Sequence, residues 1–244
     1  MAEKVLLITG ASSEVGIKLI ETVGDDYSLI YAHYGKEPKE LERLKKDLGE
    51  KLVLIQDDFS GNEPGYEVNN AVEKKGIWPD HAVFLAFPKL EALRYSKTSW
   101  DDFEKNINIG IRSAYTVSQS VLKHMTKEKK EGRVIFMLSS CTNGIPPRFM
   151  TPYVTAKYAL LGLVKGLSTE YDSKNITVNG ISPGMMETKF LSEMYDHAIE
   201  ENASKSPFGR NLVIEEVIPA FKFLLSDDAC RITGQNIVIT GGMP

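Results

Sequence analysis

Lys4-Val-Leu-Leu-Ile-Thr9, followed by Gly10-Ala-Ser-Ser-Glu-Val-Gly16 and then Ile17-Lys-Leu-Ile-Glu-Thr-Val23, is the stretch whose reading decides the fold. The short apolar run reads as a strand and the amphipathic segment after the turn as a helix. A glycine-containing turn between them lets backbone N–H groups and the positive end of the helix approach a phosphate without side-chain obstruction, which is the mechanical content of a dinucleotide fingerprint. A plain tight turn is the competing reading, and the rest of the chain has to decide between them.

Outward from that stretch, strands and helices alternate. Ser28–His33 reads as a second strand, Lys39–Leu48 as a charged helix and Lys51–Gln56 as a third strand, with a further helix within Gly61–Lys75. His81–Phe87 is a fourth strand, Trp100–Met125 a long helix, and Arg133–Leu138 a buried strand that runs into Ser139 and Ser140. Thr142–Arg148 is irregular, and the next helix continues to about Tyr171. Ile176–Ile181 is the sixth strand, Val213–Leu225 a helix, and Gly234–Gly242 contains the closing strand. Such alternation defines an α/β chain.

The 244 residues are enough for one such domain with a buried core, and no linker, repeat or low-complexity tract divides them. A net charge of -4, with 42% hydrophobic and 25% charged residues, argues against a general affinity for nucleic acid or an anionic membrane. No apolar run approaches the ~18 residues needed to span a bilayer, and no signal-peptide architecture precedes Val5, so a cytoplasmic protein is expected. Two cysteines, Cys141 and Cys230, and four histidines suggest neither a disulfide framework nor a metal centre.

A second constellation carries chemistry. Tyr153 and Lys157 are four apart, so on a helix they share a face, where an ammonium can stabilise a phenolate. Ser140 lies thirteen residues before Tyr153, at the carboxyl end of a strand, where open α/β sheets bind ligands. A Tyr-x-x-x-Lys pair by itself is a common accident of helix packing. Cys141, beside Ser140, reads as a small buried residue more readily than as a reactive thiol.

Thr9-Gly10-Ala-Ser-Ser-Glu-Val-Gly16 resembles the Thr-Gly-x-x-x-Gly-x-Gly motif of the short-chain dehydrogenase/reductase family, and Tyr153 with Lys157 resembles its Tyr-x-x-x-Lys pair. The resemblance runs along essentially the whole chain, closest in pattern to the 3-oxoacyl-carrier-protein reductases. It implies a single-domain Rossmann fold: a doubly wound, mostly parallel seven-stranded sheet with helices on both faces and a substrate lid at about 185–210. It also implies catalytic roles for Ser140, Tyr153, Lys157 and Asn108, the last by an Asn-Ile pattern in the long helix. Around the cofactor it implies Gly10, Ser12, Ser13, Val15, Gly16, Asp58 at the adenine, Ala86, Tyr153, Lys157, Pro183, Gly184 and Thr188, the last three from Ser182-Pro-Gly-Met-Met-Glu-Thr188. No carboxylate ends the second strand; His33, Tyr34 and Lys36 stand there instead, which favours NADP(H) and leaves NAD(H) possible. Lys36 as a surface lysine and Asp58 as a turn cap remain the bland alternatives.

Two departures stand out. Glu14 replaces the motif's middle glycine and is expected to point outward. His81-Ala-Val-Phe-Leu-Ala-Phe87 replaces an Asn-Asn-Ala-Gly segment and keeps Ala86 alone, so Phe84, Leu85 and Phe87 either repack a working site or narrow the cofactor space. The implied activity is NADPH-dependent reduction of a carbonyl, free or carrier-protein-bound, as a 3-oxoacyl thioester would be. The alternative is a catalytically silent NADP-binding member acting as sensor or subunit. Lys129, Lys130, Arg133 and Lys174 read as carrier-docking cations or as solvated helix ends, and a homo-oligomer, dimer or tetramer, is implied by the family.

Overall fold

In the computed structural model, which describes residues 4–242, the apolar runs become β1 (Val5–Thr9), β2 (Leu29–Tyr34), β3 (Leu52–Gln56), β4 (His81–Phe84), β5 (Gly132–Met137), β6 (Ile176–Pro183) and β7 (Asn236–Ile239). They form one sheet of order β3-β2-β1-β4-β5-β6-β7 in which every pairing is parallel. A parallel sheet needs helical crossovers and both faces covered, which is why its strands read as apolar runs rather than as alternating patterns. Along β1, Val5 and Leu7 face one helical layer while Leu6 and Ile8 face the other.

The first layer is built from α3 (Tyr66–Lys75), α5 (Ser113–Lys127) and α6 (Thr151–Glu170), the second from α1 (Glu14–Val23), α2 (Lys39–Leu48) and α8 (Ile214–Leu225). Leu19 of α1 and Phe221 of α8 are fully buried in the second layer. Truncating Leu19 to alanine would cost ~2–5 kcal/mol through lost transfer energy and the cavity left behind. This packing fixes the start of α1 above the carboxyl ends of β1 and β4. The strand order reverses there, between β2-β1 on one side and β4-β5 on the other, and open α/β sheets place their ligands at such a switch point.

Three elements differ from the sequence expectation. β4 stops at Phe84 rather than Phe87: the Leu85 N–H still donates to Thr9 O at 3.0 Å, but the chain then leaves the sheet toward Pro88. The long helix is interrupted, with α4 (Trp100–Ile107) joined to α5 by a π-helical turn over Asn108–Arg112. Asn108 and Gly110 are weak helix formers, and the turn absorbs them without ending the helix. The segment expected as a lid forms a 3-10 turn at Lys189–Leu191 and a helix, α7 (Asp196–Lys205), and its Leu191 and Met194 pack with Leu90 and Met150 in a small separate core.

Candidate active site

The Gly-rich turn is held by its own backbone and by β2. Gly10 has φ +69°, and a Cβ there would lie 2.7 Å from the Ala86 nitrogen, so glycine is required both for the turn and for the approach of the β4 loop. Ala86 therefore serves first as the surface on which Gly10 packs. Ser13 caps α1, its hydroxyl accepting the Gly16 N–H at 3.1 Å, while the Ser13 N–H donates to Gly10 O. The N–H groups of Glu14 and Val15, in the first turn of α1, have no intrahelical acceptor and stand at its positive end. Ser12 is half-buried beside them. At this end the residues fit a diphosphate.

Glu14 does not point away. Its Oε2 accepts the Lys189 N–H at 2.7 Å, crossing from the Gly-rich turn to the 3-10 turn at Lys189–Leu191. The carboxylate takes up a free donor at the start of the 3-10 turn, a pairing that the sequence, with 175 residues between the partners, could not disclose. Thr188, just before it, donates its own N–H to Met186 O, and Gly184 donates to Ile239 O. Pro183 is buried at the end of β6.

At the end of β2 one expectation is overturned. His33 is 2% exposed, with Nδ1 accepting the Gly10 N–H at 2.9 Å and Nε2 at 2.8 Å from Asp57 O, and its ring stacks on Phe59 at 3.9 Å. Both nitrogens are committed, and burial lowers its pKa to about 4, so it is a neutral staple between β2 and the turn rather than a phosphate ligand. Tyr34 and Lys36 remain at the rim, half-buried and exposed. Asp58 is exposed and accepts from the Ser60 hydroxyl at 2.7 Å and the Ser60 N–H at 3.0 Å, which, with Lys36 nearby, keep its pKa low. Its neighbour Asp57 caps α3 through the N–H groups of Gly65, Glu67 and Val68.

Across the crevice, α6 places Tyr153 and the 3%-exposed Lys157 one turn apart. The Ser139 side chain lies near enough to the Tyr153 phenol to favour its ionised form. Ser139 is the last extended residue after β5; its Oγ also accepts the Cys141 N–H at 3.3 Å as the chain enters a 3-10 turn. Ser140 is the first residue inside that turn, half-buried, and no hydrogen bond of its side chain is found among the described residues. The two serines differ in setting: Ser139 closes the extended run after β5, and Ser140 opens the turn.

The charge pattern also departs from expectation. Burial, with Cys141 adding to it, raises the Tyr153 pKa, and the nearby Ser139 hydroxyl only partly opposes this. Lys157 does not lower it here: its Nζ lies 5.6 Å from the Tyr153 ring centroid, donates to Met137 O at 2.9 Å and sits 3.9 Å from the centroid of Phe87. Burial lowers the Lys157 pKa to about 7. Phe87 meets Tyr153 edge-on at 5.3 Å and Phe190, in the 3-10 turn, meets it at 6.1 Å, so the phenol is enclosed by aromatic rings. Asn108 opens the π-helical turn, and Gly110 within that turn seats the Phe87 ring. Neither the Phe87 contact nor Ser139 followed from sequence; the break in the Asn-Asn-Ala-Gly pattern was the available signal for the first.

Of the cations considered for carrier docking, Arg133 is withdrawn: it is 2% exposed, donating to Gly132 O and Ser226 O. Lys129, Lys130 and Lys174 stand before the amino ends of β5 and β6, the sheet edge opposite Tyr153, and Lys130 pairs with Asp80 at 2.9 Å. Among the described residues no group of three or more His, Cys, Asp or Glu could hold a metal ion, and no helix is long and apolar enough to cross a membrane.

A doubly wound parallel sheet with an anion-receptive turn on one side of the switch point and a Ser-Tyr-Lys cluster on the other defines a dinucleotide-type oxidoreductase scaffold. Residues 21–244 match a family model described as "Enoyl-(Acyl carrier protein) reductase", and the chain belongs to the short-chain dehydrogenase/reductase family of NAD(P)-dependent oxidoreductases. It is 29% identical over 242 residues to a 3-oxoacyl-[acyl-carrier-protein] reductase of Pseudomonas aeruginosa, covering 99% of this chain and 82% of that one. Among solved structures, a 4-hydroxyisoleucine dehydrogenase complexed with NADH superposes with a TM-score of 0.89 at 26% identity, covering 98% of both chains. A gluconate 5-dehydrogenase from Burkholderia cenocepacia in complex with NADP and tartrate shares the fold, with a TM-score of 0.87 at 21% identity over 99% of this chain and 95% of that one.

Proposed function

We propose that the chain reduces a carbonyl to an alcohol, with NADP(H) favoured as cofactor and Tyr153 as general acid. The observation that carries this reading is the placement of Tyr153 and the buried Lys157 one helical turn apart on α6, beside the Ser139-Ser140 pair at the carboxyl end of β5. When bound, the reduced nicotinamide supplies the hydride. Tyr153 gives its proton to the carbonyl oxygen; a phenol kept protonated by burial suits that donor role. A hydroxyl of the Ser139-Ser140 pair, Ser139 by its nearness to the phenol or Ser140 by its thirteen-residue spacing from Tyr153, would donate to the oxygen as negative charge develops. Lys157 supplies a buried positive charge beside both groups, and Asn108 marks the helix distortion facing them.

The N–H groups of Glu14 and Val15 would hold the diphosphate, and the absence of a carboxylate at the end of β2, with Lys36 exposed there, supports NADP(H) over NAD(H). A 3-oxoacyl thioester is the preferred substrate class, on the strength of relatives that bear that name. Tyr115 and Tyr158, both exposed on α5 and α6, support a homo-oligomer through those helices. The cover of Phe87 over Lys157 favours a second reading, a chain that binds nucleotide without turnover. Separate NADPH and NADH titrations, followed by oxidation assays over a ketone panel that includes a 3-oxoacyl thioester, decide between them. Turnover supports the reductase, binding without turnover the silent member, and failure to bind either nucleotide removes both.

A further inference from the structure

Phe87 follows β4 at the switch point of the sheet, where a ligand running from the start of α1 to Tyr153 and Lys157 has to pass. Its ring is not a loose side chain. One edge rests on Gly110, where an added Cβ would overlap Phe87 Cε2 and crowd Cδ2 and Cζ at 3.0 Å, so the π-helical turn supplies a seat that only glycine leaves open. Its face covers the Lys157 ammonium at 3.9 Å, a cation–π contact in a buried setting, and it meets the Tyr153 ring at 83°. Lys157 spends one donor on Met137 O, and the Phe87 ring covers the ammonium.

We propose that Phe87 is a specificity-determining residue that closes the inner end of the crevice: a dinucleotide held by its diphosphate at α1 brings its nicotinamide half to Lys157 only by lifting the ring off Gly110. This rests on reading the crevice as a nicotinamide-dinucleotide site. The ring lies at the inner end, while the adenosine half belongs toward β2 and β3. Phe87 therefore discriminates between whole dinucleotides and their adenosine halves, with the contact to Lys157 given up when the whole ligand enters. With the ring seated, Lys157 is turned toward Met137 O rather than toward the phenol, so cofactor entry and arming of Tyr153 become one event.

The test is calorimetric and needs no substrate. Affinities of wild type, Phe87→Ala and Gly110→Ala are measured for NADPH and NADH, and for adenosine 2′,5′-bisphosphate and AMP as the corresponding adenosine halves. Phe87→Ala should tighten the whole dinucleotide roughly tenfold, the order set by a desolvated cation–π contact that no longer has to be broken, and leave the adenosine half within about twofold. Gly110→Ala, which evicts the ring from its seat, should shift affinities in the same direction, and Phe87→Leu carries the test should the alanine variant fail to fold. Unchanged or weaker dinucleotide binding in the variants, with wild type binding normally, would overturn the proposal and leave the cofactor reading standing. Equal tightening of whole and half ligands would also overturn it, as general loosening. Absence of nucleotide binding in wild type and variants alike would remove both.

Discussion

Replacing Ser139 and Ser140 separately by alanine asks the most specific question of the site. Ser139→Ala removes the hydroxyl that acts on the Tyr153 phenol, and losing one preorganised donor of this kind costs ~10²–10³ in kcat, or about 3–4 kcal/mol. The structural cost is small by comparison. The hydroxyl's bond from the Cys141 N–H, at 3.3 Å, is long and worth about 0.5–1 kcal/mol. The Ser139 carbonyl still accepts the Thr142 N–H at 3.0 Å and its hydroxyl at 2.8 Å, so the turn persists and the melting temperature falls by roughly 2–4 °C. Ser140→Ala removes a hydroxyl without a partner among the described residues and should stay within about 0.5 kcal/mol in stability, with turnover nearly intact. Steady-state reduction of a ketone turned over by wild type, run beside nucleotide titrations and thermal melts, separates chemistry from binding and folding. A hundredfold loss in Ser140→Ala with Ser139→Ala near wild type would refute the assignment and restore the residue chosen by spacing.

Lys157 carries a pH signature that needs no substrate. Its pKa falls from 10.5 toward about 7 on folding, so between those values the unfolded chain binds the extra proton and wild-type stability rises with pH. Lys157→Met lacks that slope; its stability advantage over wild type should be largest below about pH 7, up to a few kcal/mol, and shrink toward pH 10, as read by urea denaturation across pH. A constant difference would show that the ammonium is not penalised in the fold. Glu14→Ala should expose the Lys189 N–H, raising its hydrogen-exchange rate about tenfold while β-strand amides keep their protection; an unchanged Lys189 rate would mean that the carboxylate does not hold the lid.

The alternation of apolar runs and amphipathic segments placed seven strands and their helices because both faces of a parallel sheet must be buried, and burial is written into composition. Gly10 was legible for a related reason, since only glycine fits φ +69° against Ala86. Ser139, His33, Arg133 and Phe87 were not, because each depends on geometry that spacing does not encode. Ser139 depends on where β5 gives way to a turn, and His33 on the pairing of β2 with the Gly-rich turn. Arg133 looked like a surface cation but spends its donors on carbonyls at the strand's amino end. Phe87 occupies a space opened by a π-helical turn more than twenty residues away, and Glu14 reaches a lid amide from the other end of the chain.

The most direct test of the reductase reading is Tyr153→Phe, which deletes one oxygen and keeps the ring among Phe87, Phe190 and Lys157. NADPH affinity, followed by fluorescence titration, should match wild type, while ketone reduction falls by ~10³ or more, in the range expected for loss of a general acid. Wild-type-like turnover in Tyr153→Phe would contradict the account.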